Sequence, residues 1–262
     1  MKEADFLPHL EIQVAEHCNL NCASCTHFSP LAKPSNIDKR DFYCQLQKAN
    51  VIFCGHCKSL KIMGGEPLLH PEITELLYMA RTAMPDTKIT LQTNGVLLIR
   101  MTVDFWKSCS ENNILVRVTR YPVSLDIAGI NKKVVENNVD LHYHPSVTTI
   151  KSFKRYPLVI DGAGDANDNF SNCVMKQRYV LIKNYRLFPC PIVANIEHFN
   201  DMFNECLVRG DEDSVALDDI KSFEEYVIFA RKAIQFCRYC NPAKHERDIG
   251  WKSSNRSIQE WI

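Results

Sequence analysis

The sequence has no excess of charge and no long apolar run. Its 31 Lys and Arg residues balance 31 Asp and Glu residues, and the pI is about 7.1. It therefore lacks the basic character of a typical nucleic-acid-binding protein. No apolar stretch approaches the ~20 residues of a membrane-spanning helix, and no apolar segment follows the charged residues 1–5, as a signal peptide would require. We expect a cytoplasmic protein with neither a nucleic-acid partner nor a membrane association.

Cysteine, in contrast, is abundant. The chain has 12 cysteines among 262 residues. In a reducing compartment such a number indicates metal binding or catalysis rather than disulfides. Because 45% of the residues are hydrophobic, we expect one large domain, alone or with a small appendage.

The most informative pattern is a CxxxCxxC motif formed by Cys18, Cys22 and Cys25. Three thiolates ligate only three irons of a cubane cluster that normally takes four, so the fourth iron stays open to an exchangeable ligand. This arrangement favours a cluster that performs chemistry over one that only carries electrons. A zinc site is the alternative, although zinc sites prefer paired CxxC-type ligands.

A second motif, Gly64-Gly65-Glu66-Pro67, follows a short predicted strand. Together the two motifs resemble those of radical S-adenosylmethionine (SAM) enzymes. The resemblance implies that Cys18, Cys22 and Cys25 hold a [4Fe–4S] cluster, that SAM binds its open iron, and that SAM cleavage yields a 5′-deoxyadenosyl radical. It implies SAM contacts by Gly64, Gly65, Glu66, Pro67, Thr93, Asn94 and Thr119. Many family members carry an aromatic residue at the position of Ser24, so this chain departs from the pattern there.

Strands alternate with helices over the first half of the chain. Apolar periodicity predicts strands at residues 10–14, 60–63, 88–92, 114–119 and 139–144, with helices at 38–50, from 70 onward, 103–112 and 126–137. Such alternation indicates an α/β fold with a parallel sheet. Both motifs follow strand ends, where active sites of α/β barrels lie. The family resemblance adds that the barrel is partial.

A second cysteine set lies in the second half of the chain. Cys173 and Cys190 flank a predicted hairpin, with strands at residues 178–182 and 186–188, and Cys237 and Cys240 form a CxxC motif after a predicted helix. The set resembles a twitch or SPASM-like appendage with an auxiliary [4Fe–4S] cluster, in an order similar to that of the radical SAM alcohol dehydrogenase of butirosin biosynthesis. A structural Cys₄ zinc site is the alternative, and Cys206 is an alternative ligand.

These patterns divide the chain into four parts. We expect a partial-barrel core at residues 1–145, a connector at 146–170, a hairpin–helix auxiliary-cluster domain at 171–245, and a tail at 246–262. The tail contains Trp251 and Trp261 and is expected to dock as a short helix or to cover the barrel.

The predicted function is oxidation of a small polar substrate. The resemblance implies a sugar, aminosugar or nucleotide-sugar alcohol, and an external one-electron reductant of the flavodoxin or ferredoxin type. Dehydrogenation requires a general base, and Arg120, Tyr121 and His144 are the candidate catalytic residues near strand ends. Two alternatives stay open. One is a peptide-modifying maturase, although the first strand begins too near residue 1 to leave room for a leader-peptide domain. The other is a sugar epimerase with Cys44, Cys109 or Cys206 as hydrogen donor.

Overall fold

The computed structural model describes residues 7–150 and 153–262. Its strands are His9–Ala15 (β1), Ser59–Gly64 (β2), Ile89–Thr93 (β3), Ile114–Thr119 (β4), Leu141–His144 (β5), Phe153–Arg155 (β6), Tyr179–Lys183 (β7), Arg186–Phe188 (β8), Val215–Ala216 (β9) and Glu246–Ile249 (β10). Eight of them form one sheet in the order β5-β4-β3-β2-β1-β7-β8-β9, and β6 pairs with β10 in a second sheet. The run from β5 to β7 is parallel, whereas β8 and β9 add antiparallel strands.

The helices are Lys39–Phe53 (α1), Ile73–Ala83 (α2), Val103–Glu111 (α3), Ile127–Glu136 (α4), Ala166–Ser171 (α5), Pro191–Ala194 (α6), Ile196–Phe203 (α7) and Phe223–Ala230 (α8). Short 3₁₀ turns occupy Pro67–Leu69, Leu98–Arg100, Asp211–Asp213, Gln235–Tyr239, Pro242–Lys244 and Ile258–Glu260. Several helices begin at a side-chain cap: the Asp38 carboxylate accepts from the Arg40 amide, and Thr102 and Ser222 cap α3 and α8 in the same way.

The main core lies between the sheet and helices α1 to α4. Leu10, Ile12 and Val14 of β1 are fully buried, and they belong to the same apolar cluster as Phe42 and Leu46 of α1. The alternate residues of β1 are polar and point to the other face of the sheet. This alternation turns one face of each strand toward the helices and leaves the other face for the interior of the partial barrel.

The predicted α/β partial barrel is confirmed. The five strands predicted in the first half are present within about two residues of the expected bounds, and β5 and β9 stand at opposite ends of the strand order, so the sheet stays open over the described residues. No described helix is long and apolar enough to cross a membrane.

The second half differs from expectation in two ways. The predicted connector contains β6 and α5, and β6 is tied by pairing to β10, far along the chain. The predicted hairpin is β7 and β8, and β7 pairs in parallel with β1. The hairpin therefore extends the main sheet, because the apolar residues of β7 complete the interior next to β1.

Candidate active site

The three cysteines of the first motif line one cavity of about 380 Å³ at the end of β1. The ends of neighbouring strands complete its wall, because parallel strands present their carboxyl ends at the same edge of the sheet. These strand-end residues are Met63, Gly64, Gly65, Glu66, Gln92, Thr93, Asn94, Thr119 and Tyr121. The volume is in the usual range for a small-molecule site.

N–H groups surround the three sulfur atoms. The Leu20 amide donates to Cys18 Sγ at 3.5 Å, and the indole Nε1 of Trp251 donates to Cys22 Sγ at 3.1 Å. Burial raises the pKa of Cys18 to about 11 and that of Cys22 to about 12, and burial also raises the pKa of Cys25. Buried thiolates with several N–H donors are stabilised by a cationic partner, so this donor set fits an iron–sulfur cluster.

The two glycines are required by packing against the cysteine loop. A Cβ on Gly64 would lie 2.3 Å from the Ala15 carbonyl oxygen, and one on Gly65 would lie 2.1 Å from that of His17. In addition, the Gly65 amide donates to the Ala15 carbonyl at 2.7 Å. The close approach of Gly64 is thus to the end of β1, and that of Gly65 is to the start of the loop that carries the cysteines. Contact of either glycine with SAM stays a prediction.

Glu66 holds the ends of β2 and β3 together. Its buried carboxylate accepts from the Thr93 hydroxyl at 2.6 Å, from the Asn94 amide at 2.9 Å and from the Leu68 amide at 3.2 Å. Burial raises its pKa to about 7 despite these hydrogen bonds. Pro67 is buried in the following 3₁₀ turn. The predicted SAM contacts Glu66, Thr93 and Asn94 thus form one hydrogen-bonded group at the cavity.

The predicted catalytic residues are separated by the structure. Tyr121 lines the cavity, and burial raises its pKa well above the usual value, with a further increase from the charges of Cys22 and Cys25. His144 is exposed, and Arg120 donates to the Ser146 carbonyl at 3.1 Å. Neither is among the described residues that line the cavity. The roles of all three stay predictions, and Tyr121 is the one that the geometry brings to the site.

Thr119, a predicted SAM contact, also lines the cavity and accepts a hydrogen bond from Gln92 Nε2 at 2.7 Å. The half-buried His27 lines the same cavity. Its Nε2 atom is itself buried and has no hydrogen-bond partner among the described residues.

Other residues of the wall were not predicted from the sequence. Phe153, Lys154 and Tyr156 reach the cavity from β6 and the residue after it. The aromatic and basic run at residues 153–156, inside an otherwise polar segment, was the available signal. Trp251 belongs to the tail that the sequence predicted to dock or to cover the barrel, but no local pattern predicted its contact with Cys22, 229 residues away.

The four cysteines of the second set lie close enough to affect one another. Burial raises the pKa of Cys190 to about 12 and that of Cys237 to about 11, and the charge of Cys173 raises both further. Burial raises the pKa of Cys240 well above its usual value, with added effects from the other three. Cys206, the alternative ligand, is exposed and contributes to none of these shifts.

A smaller cavity of about 170 Å³ adjoins this second set, lined among others by Cys173, Cys240 and Tyr156. Asn169 Nδ2 donates to the carbonyls of Cys237 and Cys240, at 3.0 and 2.8 Å, and so fixes the CxxC turn. Within residues 7–150 and 153–262, no three His, Cys, Asp or Glu side chains converge to enclose a single metal ion. A cubane requires less convergence, because each of its cysteines binds a different iron.

Comparison with known proteins identifies the family. The model of the Radical SAM superfamily matches residues 12–142, which is half of the chain. The chain belongs to the Radical SAM superfamily. Enzymes of this family use SAM and a [4Fe–4S] cluster, and the matched region contains both sequence motifs and the strand ends that form the cavity.

Curated relatives in this superfamily match mainly the core. The GTP 3',8-cyclase of Chlorobaculum tepidum is 31% identical over 93 residues, which is 35% of this chain and 27% of the relative. That of Clostridium acetobutylicum is 26% identical over 158 residues, covering 60% of this chain and 42% of the relative. The matches thus span less than half the length of these relatives.

Among solved structures, that of BtrN in complex with AdoMet and 2-DOIA resembles most of the chain. The TM-score is 0.52 at 15% sequence identity, and the match covers 90% of this chain and 93% of BtrN. This likeness shows that the two proteins share a fold over that length.

Proposed function

We propose that this radical SAM enzyme is an oxidoreductase that dehydrogenates a small polar substrate held between its two cysteine sets. When bound, a [4Fe–4S] cluster at Cys18, Cys22 and Cys25 and SAM would supply the radical that takes a hydrogen atom, and an auxiliary cluster at Cys173, Cys190, Cys237 and Cys240 would supply an acceptor for the remaining electron. A carbinol that lost a hydrogen atom to the radical, a proton to solvent and an electron to the auxiliary cluster would become a carbonyl compound, so atoms and electrons balance.

The observation that carries the proposal is the position of Tyr156. Its side chain lines both the 380 Å³ cavity at the first cysteine set and the 170 Å³ cavity at the second. Two sites that share a wall residue are close enough for one substrate to exchange electrons with both. A sugar, aminosugar or nucleotide-sugar alcohol is the substrate class that we propose.

Within the cavity, side chains of the protein would bind SAM and the substrate and orient them. The Glu66 carboxylate, held by Thr93 and Asn94, would attract the ammonium group of SAM. Tyr121 keeps its proton, because burial raises its pKa, so its hydroxyl would donate a hydrogen bond that orients a ligand.

An epimerase is less well supported by this cavity. Such an enzyme needs a hydrogen donor, and Cys44, Cys109 and Cys206 were the candidates. Among the described residues, none of these three lines the cavity, and Cys109 is buried in the main core instead.

The proposal also covers the compartment in which the enzyme works and the reductant that it needs. Thiolate ligands persist in the reducing cytoplasm, and we propose that the protein works there. An external one-electron reductant of the flavodoxin or ferredoxin type would supply the electron that SAM cleavage consumes.

Iron content tests the two-cluster assignment. Anaerobically reconstituted wild type should contain about eight irons, and both Cys18→Ala/Cys22→Ala/Cys25→Ala and Cys237→Ala/Cys240→Ala should contain about four, with matching changes in the UV–visible and EPR spectra. Only the second variant should still form 5′-deoxyadenosine from SAM after reduction. Cys54→Ala is the control, because Cys54 is exposed and outside both sets.

Two results would contradict the proposal. About four irons in wild type together with bound zinc would make the C-terminal cysteines structural, and the oxidation would lose its electron acceptor. Failure of the reduced, iron-loaded protein to cleave SAM would remove the radical chemistry altogether.

A further inference from the structure

Residues 252–254 of the C-terminal tail pair with residues 21–23 of the loop that carries the cysteines. The Ala23 amide donates to the Lys252 carbonyl at 3.0 Å, and the Ser254 amide donates to the Asn21 carbonyl at 2.6 Å. Cys22 and Ser253 form an antiparallel bridge between these two hydrogen bonds. The tail is therefore fixed against the loop by backbone contacts on both sides of Cys22.

This pairing places the Trp251 indole against the sulfur of Cys22. Its Nε1–H group donates to Cys22 Sγ at 3.1 Å, and its ring lies 5.9 Å from that of Tyr121 in the cavity wall. Burial raises the pKa of Cys22, and the Trp251 hydrogen bond acts in the opposite direction. The indole thus stabilises negative charge on this sulfur.

The three tryptophans of the chain differ in the hydrogen-bond partners of their indole N–H groups. Trp251 donates to a sulfur, whereas Trp261 donates to the Cys25 backbone carbonyl at 3.0 Å. Trp106 is fully buried in the main core, and its indole nitrogen has no hydrogen-bond partner among the described residues. Among the three, only the Trp251 N–H group points at a sulfur atom of a proposed cluster ligand.

We infer that Trp251 is a positioning residue that raises the reduction potential of the cluster bound by Cys22. A hydrogen bond to a ligating sulfur withdraws electron density and favours the more negative, reduced state. The inference deepens the proposed function and rests on Cys22 as a cluster ligand. In this role the tail makes the cluster easier to reduce by the external donor.

The test is the midpoint potential of this cluster in Trp251→Phe, measured by EPR during a redox titration. The signal that changes when SAM is added identifies the cluster. We expect the reduction equilibrium to become about tenfold less favourable, which is a shift of about 59 mV to more negative potential for one electron. Replacing Trp251 by benzothienylalanine keeps the ring shape without the N–H group and should give the same shift, even if the Phe variant loads cluster poorly.

Trp261→Phe and Trp106→Phe are the matched controls and should leave the potential within error of wild type. An unchanged potential in both Trp251 variants, with normal iron content, would overturn the inference. Iron content distinguishes that failure from a failure of the proposed function, because a Cys22→Ala protein that keeps all its iron would show that Cys22 is not a ligand.

Discussion

At the scale of single residues, Gly65 shows how little space separates the two sequence motifs. The Gly65 amide donates to the Ala15 carbonyl, and the Glu66 amide donates to the His17 carbonyl. A Cβ added to Gly65 would lie 2.1 Å from the His17 carbonyl oxygen. Such a distance is far shorter than a van der Waals contact, and the obstructing oxygen belongs to the backbone. The Gly-Gly-Glu-Pro motif is therefore a docking surface for the cysteine loop as well as a part of the cavity.

We accordingly expect Gly65→Ala to separate this docking surface from the loop. The variant should take up about half of the wild-type iron or less, since the first cluster would lose its geometry, and its unfolding free energy should fall by about 1–3 kcal/mol. Gly250→Ala is the control, because nothing lies within 4 Å of its added Cβ. Wild-type iron content in Gly65→Ala would contradict this account.

At the scale of elements, a partly buried ion network joins β1, β7 and α7. Glu16, just after β1, accepts from Lys183 Nζ at 3.0 Å and from His198 Nε2 at 2.8 Å. Lys183 also donates to Glu197 at 2.9 Å. Burial opposes ionisation of Glu16, but the hydrogen bonds and charges of His198 and Lys183 outweigh it and lower the pKa of Glu16 to about 2. The network anchors the start of the cysteine loop.

This lowered pKa fixes the pH range of the stabilisation. A carboxyl whose pKa is lower in the folded state stabilises the fold above its unfolded value of 4.5 and loses that effect as the pH falls toward 2. Glu16→Gln should lower the unfolding free energy by about 1–3 kcal/mol at pH 7, and the difference from wild type should shrink between pH 4.5 and 2.

Urea denaturation at several pH values measures this difference. Glu136→Gln is the control, because Glu136 forms an exposed pair with Lys132, and such pairs contribute about 0–1 kcal/mol. A Glu16→Gln effect that is the same at pH 7 and pH 3 would show that the loss is one of packing rather than charge.

The strands differ in how well they could be predicted from the sequence. In strands β1 to β5 alternate residues are apolar and pack in or against the main core, so the alternation is visible in a short stretch of chain. The CxxxCxxC spacing likewise brings three cysteines into one loop. Strand β6 could not be predicted, because it has three residues and its pairing with β10 involves Arg155 and Glu246, which lie 91 residues apart. Long-range pairing of this kind leaves no local periodicity.

At the scale of the whole molecule, Trp261 joins the end of the described chain to both halves. Its ring is 3% exposed and lies 6.0 Å from Phe28 and 6.1 Å from Phe203, and its carbonyl accepts from the Leu158 amide at 2.7 Å. This one residue therefore links the cysteine loop and α7 through its ring and the segment after β6 through its backbone carbonyl.

Truncation of this side chain should affect the molecule as a whole. We expect Trp261→Ala to lower the unfolding free energy by about 3–5 kcal/mol, as large-to-small changes of buried aromatic residues do. Val135→Ala is the control, because Val135 is 80% exposed. Denaturant titration monitored by circular dichroism checks the difference, and a loss below about 1 kcal/mol would mean that the tail contributes little to the fold.

The contact between Trp261 and the Cys25 carbonyl also has a consequence for biosynthesis. The two residues are 236 positions apart, and at ~5–20 residues per second a ribosome completes that stretch in about 10–50 s. The cysteine loop is thus translated long before the segment that covers it. Iron delivered to the nascent chain would meet an unpaired loop, whereas iron delivered to the finished protein would meet a loop already held by the tail.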